Sequence, residues 1–131
     1  SSDWHSPAWP DPSAPAYVNA VASVETRLGP RSLLNLLHEV EAEFGRTRHK
    51  RWESRVLDLD LLDYRGELHR DEAGMEVPHP RMTGRAFVLL PLAEIAPGWR
   101  EPGEGRTIEA LIKALQPADV AATVKLHSVA R

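Results

Sequence analysis

The chain contains no cysteine among its 131 residues, which excludes disulfide scaffolds, thiolate zinc sites and cysteine nucleophiles. It is also poor in aromatics, at 6% of residues, so there is little material for base-stacking platforms. No run approaches the roughly 18 consecutive apolar residues of a membrane span. The first ten residues, SSDWHSPAWP, lack both the basic start and the apolar core of a signal peptide. No charge of either sign dominates: the formal net charge is −3, which gives no bulk attraction to nucleic acid or to an anionic membrane. No internal repeat and no Walker-type glycine loop is present. What remains is 42% apolar and 27% charged, the balance of one soluble, cytoplasmic globular domain spanning residues 1–131.

Residues 3–16, DWHSPAWPDPSAPA, are rich in proline and read as an extended, turn-rich loop whose Trp4 and Trp9 either cover a core edge or, for Trp9, face a ligand. Val18, Val21 and Val24 make residues 17–26 a strand. The spacing predicts a helix over 31–44 with an apolar stripe of Leu33, Leu36, Leu37, Val40 and Phe44. Leu34, His38 and Glu41 share a flanking face, and Gly45 follows as a C-cap. Alternation resumes over 56–64, with Leu57, Leu59 and Leu61 on one face. RGELHRDEAG reads as a hairpin or mobile loop. Pro91 is expected in the first turn of a helix within RAFVLLPLAEIAP. A short helix near 108–115 and a closing strand at 122–127 complete the chain.

Three constellations could carry chemistry. In an extended segment Asp58 and Asp60 point to one side, about 6–7 Å apart, with leucines behind them. Magnesium suits such a pair, because it takes one or two carboxylates and completes its octahedron with water and phosphate oxygens. Two solvent-facing aspartates on an edge strand would give the same pattern. Just upstream, Arg46, Arg48, Lys50, Arg51 and Arg55 crowd a ten-residue loop, where guanidinium forks could grip phosphates. A solvated loop or a nucleic-acid patch are the alternatives, the latter weakened by the acidic balance of the rest. His79 sits between two prolines in a stiff turn, with Arg85 nearby, either meeting a phosphate or simply lying at the surface.

Taken together and in order, these features carry a resemblance. R-W-x-x-R-x-L-D-L-D-L-L, from Arg51 to Leu62, resembles the signature of the 6-hydroxymethyl-7,8-dihydropterin pyrophosphokinases of folate synthesis. PAWPDPSAPAYVNAV is similar to that family's pterin loop and following strand, and VPHPRMTGRAFVLLPLAEIAP to its nucleotide-side segment. The resemblance implies a ferredoxin-like α+β fold with an antiparallel sheet and helices. It implies transfer of the terminal pyrophosphoryl unit of ATP to the pterin's hydroxymethyl oxygen, leaving AMP, with two magnesium ions as cofactors.

Residue by residue, it implies that Asp58 and Asp60 bind the metal. Arg46 and Arg55 would engage the phosphates, and Trp52 would close over the site on a loop, 46–55, that acts as a mobile lid. Arg48, Arg55, His38, Glu41, Leu61, His79 and Arg85 fall at ATP positions. Tyr17 and Phe87 would sandwich the pterin, Asn19 would hydrogen-bond its edge, and Ser6, Pro7 and Trp9 would lie where the pterin loop supplies backbone contacts, with Trp52 closing the site. The partners implied are these two small molecules, with no nucleic acid and no membrane.

The chain departs from the family pattern at Glu53-Ser54 (usually Gly-Pro), at Ser13-Ala14-Pro15 and at His38 (commonly Gln). It also begins inside what resembles the second strand, without the family's first strand, S-N-x-G turn and first helix. The intact family is monomeric. Unpaired edges of an N-terminally incomplete sheet favour aggregation or oligomerisation. The competing expectation is an inactive remnant that keeps only ligand-binding surfaces.

Overall fold

The structure is a computed structural model describing residues 1–8, 13, 15–45 and 57–126. It is α+β, with antiparallel sheets, and divides into two compact units. One is built from the two ends of the chain, Ser1–Val24 and Pro80–Arg131, and the other is the segment Glu25–His79 between them.

In the unit formed by the chain ends, β1 (Trp4–Ser6) lies between β2 (Tyr17–Asn19) and β5 (Val124–Lys125). Both pairings are antiparallel, with Trp4 opposite Asn19 and Lys125, His5 opposite Val18 and Val124, and Ser6 opposite Tyr17. The central strand thus falls inside the stretch expected to be a loop. Its prolines start only at Pro7, and Trp4-His5-Ser6 keeps every backbone donor a ladder needs. The strand expected over 17–26 stops at Asn19. The Ser1 ammonium donates to the Val21 carbonyl at 2.7 Å, and the Val21 amide donates to Ser1 Oγ at 2.8 Å.

Helix α2 (Ala86–Ile95) packs on β1 and β2 and buries Ala86, Val88, Leu89, Pro91 and Leu92. Pro91 stands in the middle of this helix rather than in its first turn, because the helix starts five residues earlier, after Arg85. Proline there removes the bond that would run to the Phe87 carbonyl and costs about 3 kcal/mol in an exposed helix. Here the ring is among the most deeply buried groups of the protein, which offsets part of that cost. Helices α3 (Ile108–Lys113) and α4 (Pro117–Ala122) flank α2. Thr107 caps α3 by accepting from the Ala110 amide at 3.1 Å.

Glu94, near the end of α2, gathers four donors. The Ser2 amide and the Trp4 indole N–H reach Oε1 at 2.8 and 3.1 Å, while Ser2 Oγ reaches Oε2 at 2.7 Å. Lys125 Nζ stands 3.2 Å from Oε2. The Ser2 hydroxyl, followed by the Trp4 indole, holds the Glu94 carboxyl down at about 2. One carboxylate therefore ties the N-terminal segment, the central strand, an edge strand and a helix together.

The unit in the middle of the chain is organised by α1 (Pro30–Gly45) and a hairpin of β3 (His69–Arg70) and β4 (Glu76–Val77). The hairpin lies where RGELHRDEAG predicts one, and its turn uses Gly74 at φ +94°, a conformation open chiefly to glycine. Leu33, Tyr64, Met75 and Val77 form the core, with Leu34 and Leu61 packed against it. The inward face of α1 is rotated from the expected stripe. Leu36 and Phe44 are exposed, while Leu34, Leu37, Val40 and Glu41 are half-buried beside buried Leu33. Gly45 is the last helical residue rather than a cap beyond it. The Arg31 guanidinium grips Asp71 with two bonds of 2.6 and 2.7 Å, and Asp71 Oδ1 also accepts from the Ala73 and Met75 amides. The Arg31 fork and the Met75 amide lower the Asp71 carboxyl to about 2.

Leu89, with no exposed surface, should lose about 2–5 kcal/mol of stability on substitution by alanine, read from urea denaturation. Asp71 and Glu94 set the acid limit. Their folded values lie below the ordinary carboxylate range, so the stability they contribute is complete above about pH 5 and drains away as pH falls towards 2. Thermal unfolding between pH 6 and pH 2 should therefore show a steep decline, and it should be shallower in the Asp71→Asn, Glu94→Gln double variant.

Candidate functional site

Residues 57–63 form no β-strand among the described residues, although strand alternation was expected over 56–64. The alternation itself survives in the burial: Leu57, Leu59 and Leu61 are half-buried, while Asp58 and Asp60 are exposed. Leu61 packs against the core, so the aspartates project on the opposite side. The segment takes its backbone partners from elsewhere. The Leu59 amide, between the two aspartates, donates to Glu41 Oε2 at 2.6 Å. The Leu62 carbonyl accepts from the His79 amide at 2.8 Å. Two carboxylates on one side with hydrophobic backing are the donor set that a hard cation takes when water and phosphate complete its shell, so the residues fit magnesium. Among the described residues no cluster of three or more acidic or histidine side chains is arranged to hold a metal.

Other expected ATP residues of this unit separate. Leu61 and His79 flank the aspartate segment, Leu61 through the core and His79 through its backbone. His38, one turn before Glu41 on α1, is exposed. The signal for Glu41 was present in the sequence, since it shares a helix face with Leu34, which joins the core.

In the other unit, register decides which side chains meet. Ser6 and Trp4 lie on one face of β1, and their cross-strand partners Tyr17 and Asn19 lie on the same face of β2. The Trp4 indole reaches Glu94, so this is the face that α2 covers. Three expected pterin residues, Ser6, Tyr17 and Asn19, are therefore brought to the side of the sheet against which the helix bearing Phe87 packs. Tyr17 remains 47% exposed. Arg85, at the N-cap of α2, places its guanidinium carbon 5.4 Å from the Phe87 ring centroid. Pro7 is exposed just after β1. The Ser6 hydroxyl, which sequence reasoning passed over in favour of its backbone, is buried and finds no hydrogen-bond partner among the described residues. Trp9, Arg46, Arg48, Trp52 and Arg55, and with them the lid expected over 46–55, lie outside the described residues.

Comparison with known proteins places these features. The 2-amino-4-hydroxy-6-hydroxymethyldihydropteridine pyrophosphokinase of Synechocystis is 43% identical over 112 residues, covering 86% of this chain and 57% of that protein. Its counterpart in Methylorubrum extorquens is 39% identical over 92% of this chain and 74% of its own length. That of Pseudomonas aeruginosa is 46% identical over 79% and 65% respectively. The chain thus spans about half to three quarters of the length of these curated relatives. A family profile described as 7,8-dihydro-6-hydroxymethylpterin-pyrophosphokinase matches residues 1–97, a stretch that holds the aspartate pair, Glu41 and the β1–β2–α2 face alike. On that match, and on identities near 40% over most of its length, the chain belongs to the 7,8-dihydro-6-hydroxymethylpterin-pyrophosphokinase family.

Proposed function

We propose that this protein transfers the terminal pyrophosphoryl unit of ATP to the hydroxymethyl oxygen of 6-hydroxymethyl-7,8-dihydropterin, releasing AMP, as a single domain acting in the cytoplasm in folate biosynthesis. The observation that carries this reading is the Asp58–Asp60 pair, exposed on one side of a leucine-backed segment within a chain of this family. No helix among the described residues is long and apolar enough to cross a membrane.

In this reading Asp58 and Asp60 would hold two magnesium ions together with the phosphates of ATP, and the bound metal would supply positive charge against the charge on the transferred group. Phosphoryl transfer asks little covalent chemistry of a protein, so the remaining residues bind, orient and exclude water. Arg85 and His79 face the nucleotide, as do Leu61 and His38, while Glu41 stands behind the aspartates on the Leu59 amide. Arg46, Arg48 and Arg55 engage the phosphates, and Trp52 closes the site. Tyr17 and Phe87 hold the flat heterocycle between their faces, while the Asn19 amide, with both donor and acceptor, reads its pyrimidine-like edge. Pro7 and Trp9 border the ring. A buried hydroxyl without a partner is costly, and the pterin's polar edge relieves that cost at Ser6. The hydroxymethyl oxygen attacks the β-phosphorus, the bond from that phosphorus to the α-bridging oxygen breaks, and the hydroxyl proton leaves to solvent.

Purified protein incubated with ATP, magnesium and the hydroxymethyl-dihydropterin should form AMP and the pterin diphosphate in equal amounts. AMP formation that does not depend on the pterin would overturn the reading. Asp58→Ala and Asp60→Ala should each lower kcat by at least about 100-fold, the scale of losing a group that stabilises transferring charge, while the pterin still binds by calorimetry. Ser6→Ala should raise the pterin KM by about 5–10-fold, one net hydrogen bond, without lowering the unfolding midpoint.

A further inference from the structure

Residues 57–63 join no strand among the described residues and have no ladder to fix their rotation, yet Asp58 and Asp60 act together only while both face the same side. A twist of the chain at Leu59 would send the two carboxylates to different sides. The position that controls this twist is the Leu59 peptide, and its amide is the group that Glu41 holds at 2.6 Å. Such a bond from a neutral N–H to an ionised carboxylate is short and about twice as strong as a neutral pair. Glu41 is itself well anchored. It lies on the inward face of α1, one and two turns beyond Leu37 and Leu34, and this helix is fixed by Leu33 and Leu34 in the core with Tyr64, Met75 and Val77. At its far end the segment is pinned again, by the His79 amide on the Leu62 carbonyl and by buried Tyr64. The aspartates therefore sit between two fixed points.

Glu41 could instead complete a three-carboxylate ligand set, but no such cluster exists among the described residues. We propose that Glu41 is a positioning residue: by holding the Leu59 amide it presents Asp58 and Asp60 on one side as a ready-made pair for the metal–nucleotide complex. This rests on the pyrophosphokinase reading above, and it separates Glu41 from the residues that touch nucleotide directly. Side chains that orient metal ligands from behind typically change metal affinity 10–100-fold when removed.

The test uses Mn2+ as the paramagnetic stand-in for magnesium, with a non-hydrolysable ATP analogue, and measures bound Mn2+ by electron paramagnetic resonance in wild type, Glu41→Ala, Glu41→Gln and Asp58→Asn. Amide exchange at Leu59 is followed in parallel by NMR. Glu41→Ala should weaken Mn2+ binding about 10–100-fold and speed Leu59 exchange by a comparable factor. Glu41→Gln keeps an oxygen that can accept from Leu59, and should stay within about fivefold of wild type in both readings. Glutamine as damaging as alanine for Mn2+, with Leu59 still protected, would mean the charge acts on metal or nucleotide directly and would overturn the proposal. So would an alanine variant that binds Mn2+ like wild type. If Asp58→Asn binds Mn2+ unchanged, the metal reading beneath the proposal fails first, whatever Leu59 does.

Discussion

Backbone that joins no sheet or helix must still find acceptors for its amides, and at Leu59 the segment 57–62 meets that requirement with a side chain. The Glu41 carboxylate on the Leu59 amide turns a stretch of alternating sequence into a directed one, with leucines inward and aspartates outward. A sheet ladder would give the same direction by distributing many weak bonds. Here one charge-assisted bond from a helix and one backbone bond from His79 suffice, because Leu61 and Tyr64 add hydrophobic anchorage at the same place. The exposure of Asp58 and Asp60 follows from that arrangement rather than from any preference of the aspartates themselves.

Carboxylates serve as structural hubs elsewhere in the chain as well. Asp71 closes a hairpin turn with two amides while gripping Arg31 at the start of α1, and Glu94 collects an amide, a hydroxyl, an indole and an ammonium group. Both are partly accessible, so their value lies less in Coulomb energy than in the number of directed bonds each oxygen accepts. A protein without disulfides, and with short strands of two or three residues, gains definition from such many-donor acceptors.

The sequence made some of this visible and hid the rest for identifiable reasons. The α1 helix, the hairpin and the alternation around Asp58 and Asp60 were legible because each depends on local spacing. The inward face of α1 differs from the apolar stripe because that stripe includes the exposed Leu36 and Phe44, whereas packing selects Leu34 and the polar Glu41. The central strand was hidden because Trp4-His5-Ser6 is too short for a pattern and is followed by prolines. Its pairing with Val124–Lys125 is a long-range event that no local window contains. Pro91 departs from the usual place of proline in a first helical turn because the buried face of α2 tolerates its ring in the helix interior. At the site, Asn19, Tyr17 and Phe87 were legible through family resemblance alone, while the Ser6 hydroxyl needed burial to be noticed.

The unit that holds β1 brings Trp4 opposite Lys125, so its three-stranded sheet closes only once residues 4–125 are all available. Residues Glu25–His79, by contrast, make their core from a continuous stretch. During vectorial synthesis the middle unit can therefore complete its contacts while β1 and β2 still wait, as an exposed hairpin, for β5 to leave the ribosome. Closing a loop of that span adds an entropic barrier that grows only logarithmically with length, yet it must be crossed before any β1–β5 bond forms. The order of events is thus written into the connectivity: the aspartate-bearing half matures first, and the face carrying Ser6, Tyr17 and Asn19 acquires its third strand last.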